Sequence, residues 1–589
     1  MTRFLSALLA FALIASAAAQ APSAYRLAPT ASKILRVAHQ SIGGDAIDPA
    51  QLNSVLVAHL LDNLIEPMLR YDYLARPLKL IPNTLESLPE PSEGGRVYLC
   101  RVKRGVFFAP DPVFKGKTRE LTAADYAYSL RRLFDPKYKS SQFFIVDGKI
   151  AGADALRTAA LAGKPFDYDK PIPGLQVIDR YTLRVALNEP DLNFLHVLAQ
   201  QNLGAVAREV VEAYGDDIGQ HPVGTGPYYM IERHVGSRLV FAKNPNYRED
   251  WFEGRRLPAI DRVELSFTVE DQPLWLAFLG RELDLLVNIP VSFRLQGIPN
   301  GRIAPNLARQ GVVPHTYVYP AIWFDSFNLR DPVVGGYTSG RVALRRAIAL
   351  AFDRRQAIDI IFNGGAIPAN GVVPTGIAGH DAKATTDVFD HDLARAKALL
   401  DLHGYVDRDG DGWREAPDGS PLVVSFVSPS QPRFRPWDEL WDKAFRNLGV
   451  RMSLTKMHQA DLTKMVMAGK HQLAMNAWNM DYPDGEDFYV LLYGKAAGSA
   501  NQSFFELPAY DKLYEEAQKL TDSPERDRIY REMDKLTFAY MPMVMTLYPV
   551  RTALTHPWVL GFSPNPAHLE PWKYMDIDLA TRRKALGSN

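Results

Sequence analysis

The chain has 589 residues, of which 47% are hydrophobic and 23% are charged. This composition is typical of a globular protein, and the length predicts two to four domains because one hydrophobic core rarely serves a chain beyond about 250–300 residues. The 67 Lys and Arg residues balance the 67 Asp and Glu residues, which argues against a nucleic-acid-binding protein held by phosphate contacts.

The amino terminus has the pattern of a secretory signal peptide. Arg3 is followed by an apolar run over residues 4–15 and by small residues up to position 19. This order predicts that residues 1–19 are removed on export, since the run is too short and wrongly flanked for a membrane anchor. No cysteine lies near the cleavage point, so we expect no lipid. The single cysteine, Cys100, excludes an internal disulfide.

The first half of the chain alternates short strands and helices. Apolar residues predict a first strand at 34–38 and a helix at 55–64. Residues 96–102 alternate as a strand, and Thr122 is expected to cap a helix that ends near Phe134.

Residues 221–228 contain a compact motif, His-Pro-Val-Gly-Thr-Gly-Pro-Tyr. Gly224 and Gly226 flank Thr225, and glycine permits both positive φ and close backbone approach. We interpret these three residues as a turn or hinge element.

Three helices are predicted in the second half of the chain. Residues 341–363 divide into two of them, and the second begins at Asp353 with Gln356 at the capping-box position. The third helix spans residues 392–402 and is closed by Gly404.

Residues 422–478 form a β-α-β-α-β run. Apolar and alternating patterns predict strands at 422–427, 450–454 and 473–478, separated by helices at 437–448 and 462–468. Right-handed crossovers make such a run a parallel sheet, and the carboxyl ends of its strands therefore lie on one edge.

That edge is where an α/β protein usually binds its ligand. The candidate site residues in its loops are Trp478, Asn479, Met480, Asp481, Tyr482, Arg433 and Arg435. An acid and a base on one rim can hold the two ends of a zwitterionic peptide, because charged hydrogen bonds are about twice as strong as neutral ones. The alternative is that Asp481 is a solvated loop acid, that Asp484 is a helix N-cap, and that the arginines lie on a solvated face.

Six segments follow one another in a characteristic order: Leu121–Asp125, His221–Tyr228, Asn244–Tyr247, Gly280–Asp284, the helix pair at 341–363, and residues 392–405 with the Asp-rich turn that follows. Together they resemble the family 5 extracellular solute-binding proteins, which are the oligopeptide, dipeptide and nickel receptors of bacterial ABC importers. The similarity covers residues 33–580.

The resemblance implies an α/β, bilobal periplasmic-binding-protein type II (cluster C) fold with an extra inserted domain. The expected domains are lobe I (33–70, 175–315 and 546–585), inserted domain II (71–174) and ligand lobe III (316–545). We expect strands to cross between the lobes near residues 315 and 546, so that hinge closure encloses the ligand.

The resemblance also implies a periplasmic receptor, monomeric and without a cofactor, that passes a peptide to a membrane permease driven by a separate ATPase. In peptide-binding members the aspartate of a tryptophan-x-x-aspartate segment holds the ligand's α-amino group, and Asp481 has that position here. An arginine of the earlier loop holds the carboxylate in some members, which would be Arg433 or Arg435. Gly485 replaces a common proline, which puts the path of the loop in doubt.

Other interpretations are left open by the sequence. Members of the family also take sugars, opines, nickel complexes or haem, so the ligand class is not fixed. A secreted hydrolase would use an acid pair such as Asp481 and Asp484, and it would consume its ligand where a receptor returns it unchanged.

An acidic loop and the histidines are the two features of the sequence that bear on metal binding. Asp407, Asp409, Asp411 and Asp418 have calcium-loop spacing, but flanking helices are absent and Asp-Gly chemistry favours a solvated hairpin turn. The 13 histidines show no zinc-binding spacing, so no catalytic zinc site is expected, and calcium at the Asp407 loop stays an alternative to the hairpin turn.

Overall fold

The computed structural model describes residues 32–41, 44–384, 390–567 and 570–587. The expected signal peptide, residues 1–19, lies outside the described residues. Among the helices that are described, none has both the length and the apolar character needed to cross a membrane.

Strands occur along the whole described chain. They are β1 (Ile34–His39), β2 (Leu69–Tyr71), β3 (Leu80–Pro82), β4 (Pro91–Ser92), β5 (Val97–Arg101), β6 (Leu175–Asp179), β7 (Thr182–Ala186), β8 (Tyr228–His234), β9 (Arg238–Lys243), β10 (Trp251–Phe252), β11 (Arg255–Arg256), β12 (Arg262–Phe267), β13 (Leu285–Leu286), β14 (Val313–Val318), β15 (Ala321–Phe327), β16 (Ala366–Pro368), β17 (Val423–Pro429), β18 (Arg451–Met457), β19 (Leu473–Asn479), β20 (Met543–Thr555), β21 (Val559–Leu560) and β22 (Asp576–Ile577).

Helices alternate with these strands, which confirms the α/β class. They are α1 (Val55–Leu64), α2 (Ala123–Phe134), α3 (Asp154–Leu161), α4 (Phe194–Val197), α5 (Arg208–Tyr214), α6 (Asp271–Leu279), α7 (Arg294–Gly297), α8 (Pro305–Ala308), α9 (Ser339–Ala351), α10 (Arg354–Phe362), α11 (Leu393–Leu402), α12 (Arg435–Leu448), α13 (Gln459–Met467), α14 (Glu486–Tyr489), α15 (Pro508–Ala517), α16 (Pro524–Tyr540) and α17 (Leu579–Leu586).

The amino-terminal sheet has the strand order β1-β12-β9-β8. Strand β1 pairs in parallel with β12, whereas β12, β9 and β8 are antiparallel. Helix α1 packs on this sheet and begins at Ser54, whose hydroxyl accepts a hydrogen bond from the Val57 N–H at 3.3 Å. The side chains of Leu60 and Leu61 fill the core beneath α1, and the opposite face of the helix borders a cleft.

A second sheet, in the order β4-β5-β7-β6, is antiparallel and packs against α2. Helix α2 begins with the capping box formed by Thr122 and Asp125, as the sequence predicts. The pairing continues through Ala186 and therefore passes residue 174, where the sequence analysis ended domain II. We propose that the inserted domain includes β6 and β7.

The largest sheet has the order β13-β20-β15-β19-β17-β18, with β14 and β16 also paired to β20. Strand β17 is parallel to both β18 and β19, which confirms the predicted β-α-β-α-β run. Helix α12 covers this region because it buries Trp437 and Trp441 on one face. It ends at Gly449, which has a φ of 76° in the left-handed region that favours glycine.

Strand β20 joins the two halves of the molecule. Its first half, from Met543 to Leu547, pairs with β15, and its second half, from Val550 to Thr555, pairs with β14. Tyr319 and Pro320 connect β14 to β15 at the same level. Two chain passages therefore cross side by side, close to the expected positions 315 and 546.

The N-cap predicted at Asp353 is present, without the Gln356 half of a capping box, and Asp392 forms a second cap that the sequence analysis did not predict. Asp353 accepts the Gln356 N–H at 3.0 Å at the start of α10, and Asp392 accepts the Arg395 N–H at 2.9 Å at the start of α11. These carboxylates satisfy main-chain donors that a helix leaves unpaired in its first turn.

The Gly-Thr-Gly segment differs from expectation in one respect, because neither Gly224 nor Gly226 has a positive φ. Both are needed for close approach to α1: a Cβ on Gly224 would lie 2.3 Å from the Leu64 carbonyl oxygen, and one on Gly226 would lie 2.4 Å from that of Asn63. The Thr225 hydroxyl donates to the Glu66 carboxylate at 3.0 Å. The segment thus anchors the end of α1, and a hinge role for it stays a prediction.

Candidate functional site

A cavity of about 410 Å³ lies between α1 and the loop that follows β19. Val55, Ala58, His59 and Asp62 contribute to one wall, and residues 477–481 contribute to the opposite wall. The cavity forms here because α1 buries its other face and because the last strand of the parallel run ends at this edge.

The remaining walls come from three further parts of the chain. Phe144 extends from the expected domain II, Gln200 and its neighbours follow α4, and Tyr319 with Pro320 closes the cavity where β14 passes into β15. The cavity is therefore bordered by both halves of the molecule and by the crossing between them. A relative movement of the two halves would change its volume.

The end of β19 and the loop after it place most of the predicted residues in the cavity. Trp478, Asn479, Met480 and Asp481 all line it. Tyr482 does not, and its ring instead stacks against His196 with 5.6 Å between centroids.

Asp481 carries a partly buried carboxyl group at the cavity wall. Its main-chain N–H donates to Asp487 Oδ2 at 2.8 Å, and its carbonyl oxygen accepts the Gln200 side-chain amide at 2.6 Å. No hydrogen bond or ion pair to the carboxylate itself is present in the described ranges. Burial raises the pKa of Asp481 to about 7, because no cation offsets its desolvation.

Asp487 is a second acid beside Asp481. Burial and the neighbouring Asp481 charge raise the pKa of Asp487 well above its ordinary value. Two adjacent carboxyl groups do not ionise independently, so the two residues titrate as a pair. A cationic group in the cavity would favour the charged form of the pair.

The loop is fixed from below by a buried ion pair. Arg526 on α16 donates from Nη1 and Nη2 to the two Asp484 oxygens, at 2.6 and 2.8 Å, and both side chains are 2% exposed. Asp484 also accepts the Tyr530 hydroxyl at 3.1 Å and the Glu486 N–H at 2.8 Å. Asp484 is thus an anchor of the loop, and its charge is already neutralised.

Three contacts connect the loop with the segment around α4. The Asn193 side-chain amide donates to Glu486, the Gln200 amide donates to the Asp481 carbonyl, and His196 stacks on Tyr482. Glu486 is itself held on its other side by Tyr514 at 3.2 Å. These contacts join the loop to the segment around α4, which forms a third wall of the cavity through Gln200, and we refer to the three pairs as the clasp.

Arg433 and Arg435 lie outside the cavity. The Arg433 guanidinium lies over the Phe434 ring, 4.8 Å from its centroid, and Arg435 donates to Glu439 one helical turn away at 2.8 Å. Both side chains are exposed to solvent. The topology places them on the predicted edge, yet the structure does not bring either of them to Asp481, because Arg433 in the turn before α12 and Arg435 at its start both face solvent.

Several cavity residues were missed by the sequence analysis. His59, Asp62, Gln200 and Tyr319 lie far from Asp481 in the chain, and no local motif identifies them. Among the described lining residues, Asp62 and Asp481 are acidic and none is Lys or Arg. The cavity is therefore electrostatically suited to a ligand with a positive charge.

The acidic turn after α11 does not assemble as the calcium interpretation requires. Asp407 accepts the N–H groups of Gly410 and Gly412 at 2.7 and 2.9 Å, which is hairpin-turn chemistry. Asp411 pairs with Arg451, and Asp418 accepts the Ser420 N–H at 2.9 Å. The acids that do lie together are Asp407, Asp409 and Glu415. Asp411 and Asp418 are therefore removed from the candidate set.

Comparison with known proteins identifies relatives along nearly the whole chain. The family model for bacterial extracellular solute-binding proteins, family 5, matches residues 79–500. Di/tripeptide-binding protein 2 of Pseudomonas aeruginosa is 25% identical over 91% of this chain and 93% of its own length. Heme-binding protein A of Haemophilus influenzae is 21% identical over 83% of both chains.

The fold is also found among solved structures. The ABC transporter-associated periplasmic binding protein DppA from Helicobacter pylori, in complex with the peptide STSA, superposes with a TM-score of 0.70. The match covers 93% of this chain and 98% of that protein at 19% identity, a level that shows the fold alone. The predicted periplasmic-binding-protein type II fold is confirmed.

Proposed function

The chain belongs to the family 5 bacterial extracellular solute-binding proteins, and on that premise we propose that it is a periplasmic receptor that captures peptides for an ABC importer. The peptide would be enclosed in the cavity between the lobes and then released to a membrane permease, which a separate ATPase drives. The receptor would return its ligand unchanged.

The observation that carries this proposal is the Asp481 carboxyl group. It borders the cavity, and within the described chain no cation or donor compensates its burial. The α-amino group of a peptide would supply the missing positive charge, and a charged hydrogen bond formed away from water is strong. Such a ligand is favoured because binding removes the cost of a desolvated acid.

The carboxylate end of the peptide is treated differently in this proposal. Arg433 and Arg435 are at the outer surface, so we no longer assign either of them to the ligand. We propose that polar side chains such as Asn479 and Gln200, together with the main chain of the loop, bind the peptide backbone. Amine recognition would then dominate affinity.

Native mass spectrometry of protein purified from a periplasmic extract identifies the ligand class first. A peptide supports the proposal, whereas a co-purified haem, sugar, opine or metal complex identifies a receptor for that ligand. Incubation with the identified compound distinguishes a receptor from a hydrolase, because a hydrolase generates products.

Calorimetry then tests the assigned residue. Trialanine and N-acetyl-trialanine are titrated into the wild type and into Asp481→Asn, which keeps the side-chain shape and removes the charge. We expect Asp481→Asn to lose about 2–5 kcal/mol of affinity for trialanine, the usual cost of breaking a buried charge pair. Acetylation should weaken binding to the wild type by a similar amount and binding to the variant hardly at all.

The control variant is Asp461→Asn, an exposed acid at the start of α13. Its affinity for both peptides should equal that of the wild type. Equal losses on acetylation in the wild type and in Asp481→Asn would show that Asp481 does not hold the amine.

A further inference from the structure

Three side chains from distant parts of the chain meet behind the α1 wall of the cavity. His39 is the last residue of β1, His59 is in the middle of α1, and Glu570 lies just before the turn at residues 572–574. His39 Nε2 and Glu570 Oε1 are 2.6 Å apart. One ligand atom from each of the three residues lies within 4.8 Å of the others.

His59 is the unusual member of this cluster. His59 is only 8% exposed, and neither of its ring nitrogens has a hydrogen-bond partner in the described chain. A buried polar group without a partner is energetically costly, and a bound ion is one group that can satisfy it. His59 also lines the cavity, which gives a ligand access to it.

The surroundings hold Glu570 in position. Its side chain is fully buried, and its second oxygen, Oε2, accepts the Trp572 indole N–H at 2.6 Å. Its main-chain oxygen accepts the Asn63 side-chain amide at 2.9 Å, which ties it to α1. Oxygen Oε1 is thus left to contact His39, and contacts of this kind orient the ligands of metal sites.

We propose that His39, His59 and Glu570 bind a divalent transition-metal ion such as Zn²⁺, with one coordination position open to the cavity. Two imidazole nitrogens and one carboxylate oxygen suit such ions, whereas calcium and magnesium prefer oxygen ligands. Bonds of about 2.0–2.2 Å require the ligand atoms to lie about 3.3 Å apart. At 2.6 Å the His39 and Glu570 atoms are closer than this, and the three ligand atoms lie within 4.8 Å of one another, so metal binding requires the side chains to rotate.

The local charge is compatible with a dication. Glu570 supplies one negative charge at the site. Burial is the main cause that lowers the pKa of His59, with smaller contributions from His39 and Arg551, and the Arg551 guanidinium is held over the Tyr319 ring, 3.3 Å from the centroid. The site is formed by this chain alone, so the proposal does not rest on peptide binding. Any ligand in the cavity could complete the coordination from the open side.

The test is metal titration of the full-length mature protein, untagged and stripped with a chelator. Calorimetry with Zn²⁺ and with Ni²⁺ should give one ion per chain, and Co²⁺ should produce the visible absorption of a four- or five-coordinate site. We expect His59→Ala and His39→Ala to lose at least tenfold in Zn²⁺ affinity and to lose the Co²⁺ absorption.

Two controls separate this site from adventitious binding. His458→Ala removes an exposed histidine at the start of α13, and Asp407→Asn removes one carboxylate of the acidic turn after α11. Both should keep the wild-type stoichiometry and affinity. If His59→Ala fails to fold by circular dichroism, Glu570→Gln and His39→Gln replace it, because both preserve side-chain volume.

Two results would overturn the proposal. One is the absence of stoichiometric binding of all three metal ions to the wild-type protein. The other is binding that survives the histidine and Glu570 substitutions unchanged, or that disappears in Asp407→Asn, since either would place the ion elsewhere.

Discussion

The Gln200 side-chain amide donates a hydrogen bond to the main-chain carbonyl of Asp481, and the two atoms are 2.6 Å apart. This bond connects the main chain of the proposed ligand loop to the wall that follows α4, so it leaves the Asp481 carboxylate available to a ligand. Asn193 and His196 add two more contacts of the same clasp. The clasp can therefore hold the cavity closed while the Asp481 carboxylate still faces a ligand inside it.

Loosening the clasp should shift the molecule toward an open form. The double variant Gln200→Ala/Asn193→Ala removes two hydrogen bonds, each contributing about 0.5–1.5 kcal/mol. We expect small-angle scattering to give a larger radius of gyration for the ligand-free variant than for the wild type. Gln220→Ala, which removes an exposed glutamine that is not part of the clasp, is the control. Identical scattering from all three proteins would mean that the clasp does not hold the lobes.

Amine binding at Asp481 should depend on pH with a definite sign. The raised pKa of about 7 means that the acid is mostly neutral at pH 5.5 in the empty cavity. A cationic amine binds the charged form, so affinity should fall by roughly 20-fold between pH 7.5 and pH 5.5. Asp487 is adjacent to Asp481 and Asp62 lines the same cavity, so the charges of both acids contribute to the pH dependence of the affinity.

Calorimetry in two buffers of different ionisation enthalpy measures this linkage directly. Wild-type protein should release a proton on binding trialanine at pH 6, whereas Asp481→Asn should release much less. A wild-type affinity that stays constant over this pH range would contradict the assignment of the amine to Asp481.

Local signals explain why much of the carboxyl-terminal lobe could be predicted from the sequence. Helix α12 combines an apolar face with a glycine stop at Gly449, and the strands beside it are continuous apolar or alternating runs. Caps such as Asp353 also act within one turn of the residues they satisfy. Each of these features is complete within about 15 residues, so no knowledge of the rest of the chain is required.

The cavity could not be predicted in the same way because its walls are assembled by tertiary packing. His59 and Asp481 face one cavity although more than four hundred residues separate them. The metal cluster is a stronger example: a search for histidine spacing fails when His39, His59 and Glu570 come from three separate segments. Asp484 resembled a helix cap in sequence, and only the fold reveals Arg526 as its partner.

Breaking the Asp484–Arg526 pair should destabilise the ligand loop and the fold. Arg526→Met leaves a buried carboxylate without its cation, and the usual cost is about 3–5 kcal/mol. The double variant Asp484→Asn/Arg526→Met should recover part of that loss, because no charge remains buried. Urea denaturation measures both free energies of unfolding.

The matched control for that pair is Arg446→Met, which removes an exposed partner of Asp442 on α12. An exposed pair contributes only about 0–1 kcal/mol, so little change is expected. Equal losses of unfolding free energy in Arg526→Met and Arg446→Met would show that the buried pair contributes no more to stability than the exposed pair.

The acidic lining should also select ligands by charge. Asp62 and Asp481 both border the cavity, and the described lining has no Lys or Arg. A tripeptide with a central lysine should therefore bind more tightly than the same peptide with glutamate. Asp62→Asn should reduce that preference by about 1 kcal/mol, between the values for exposed and buried charge pairs. Asp461→Asn, outside the cavity, should leave the preference unchanged.

Competition calorimetry at 0.05 and about 0.5 M salt measures both effects, because screening weakens the selection at the higher salt. A preference for glutamate in the wild type, or one that Asp62→Asn does not alter, would show that the Asp62 charge does not act on the ligand.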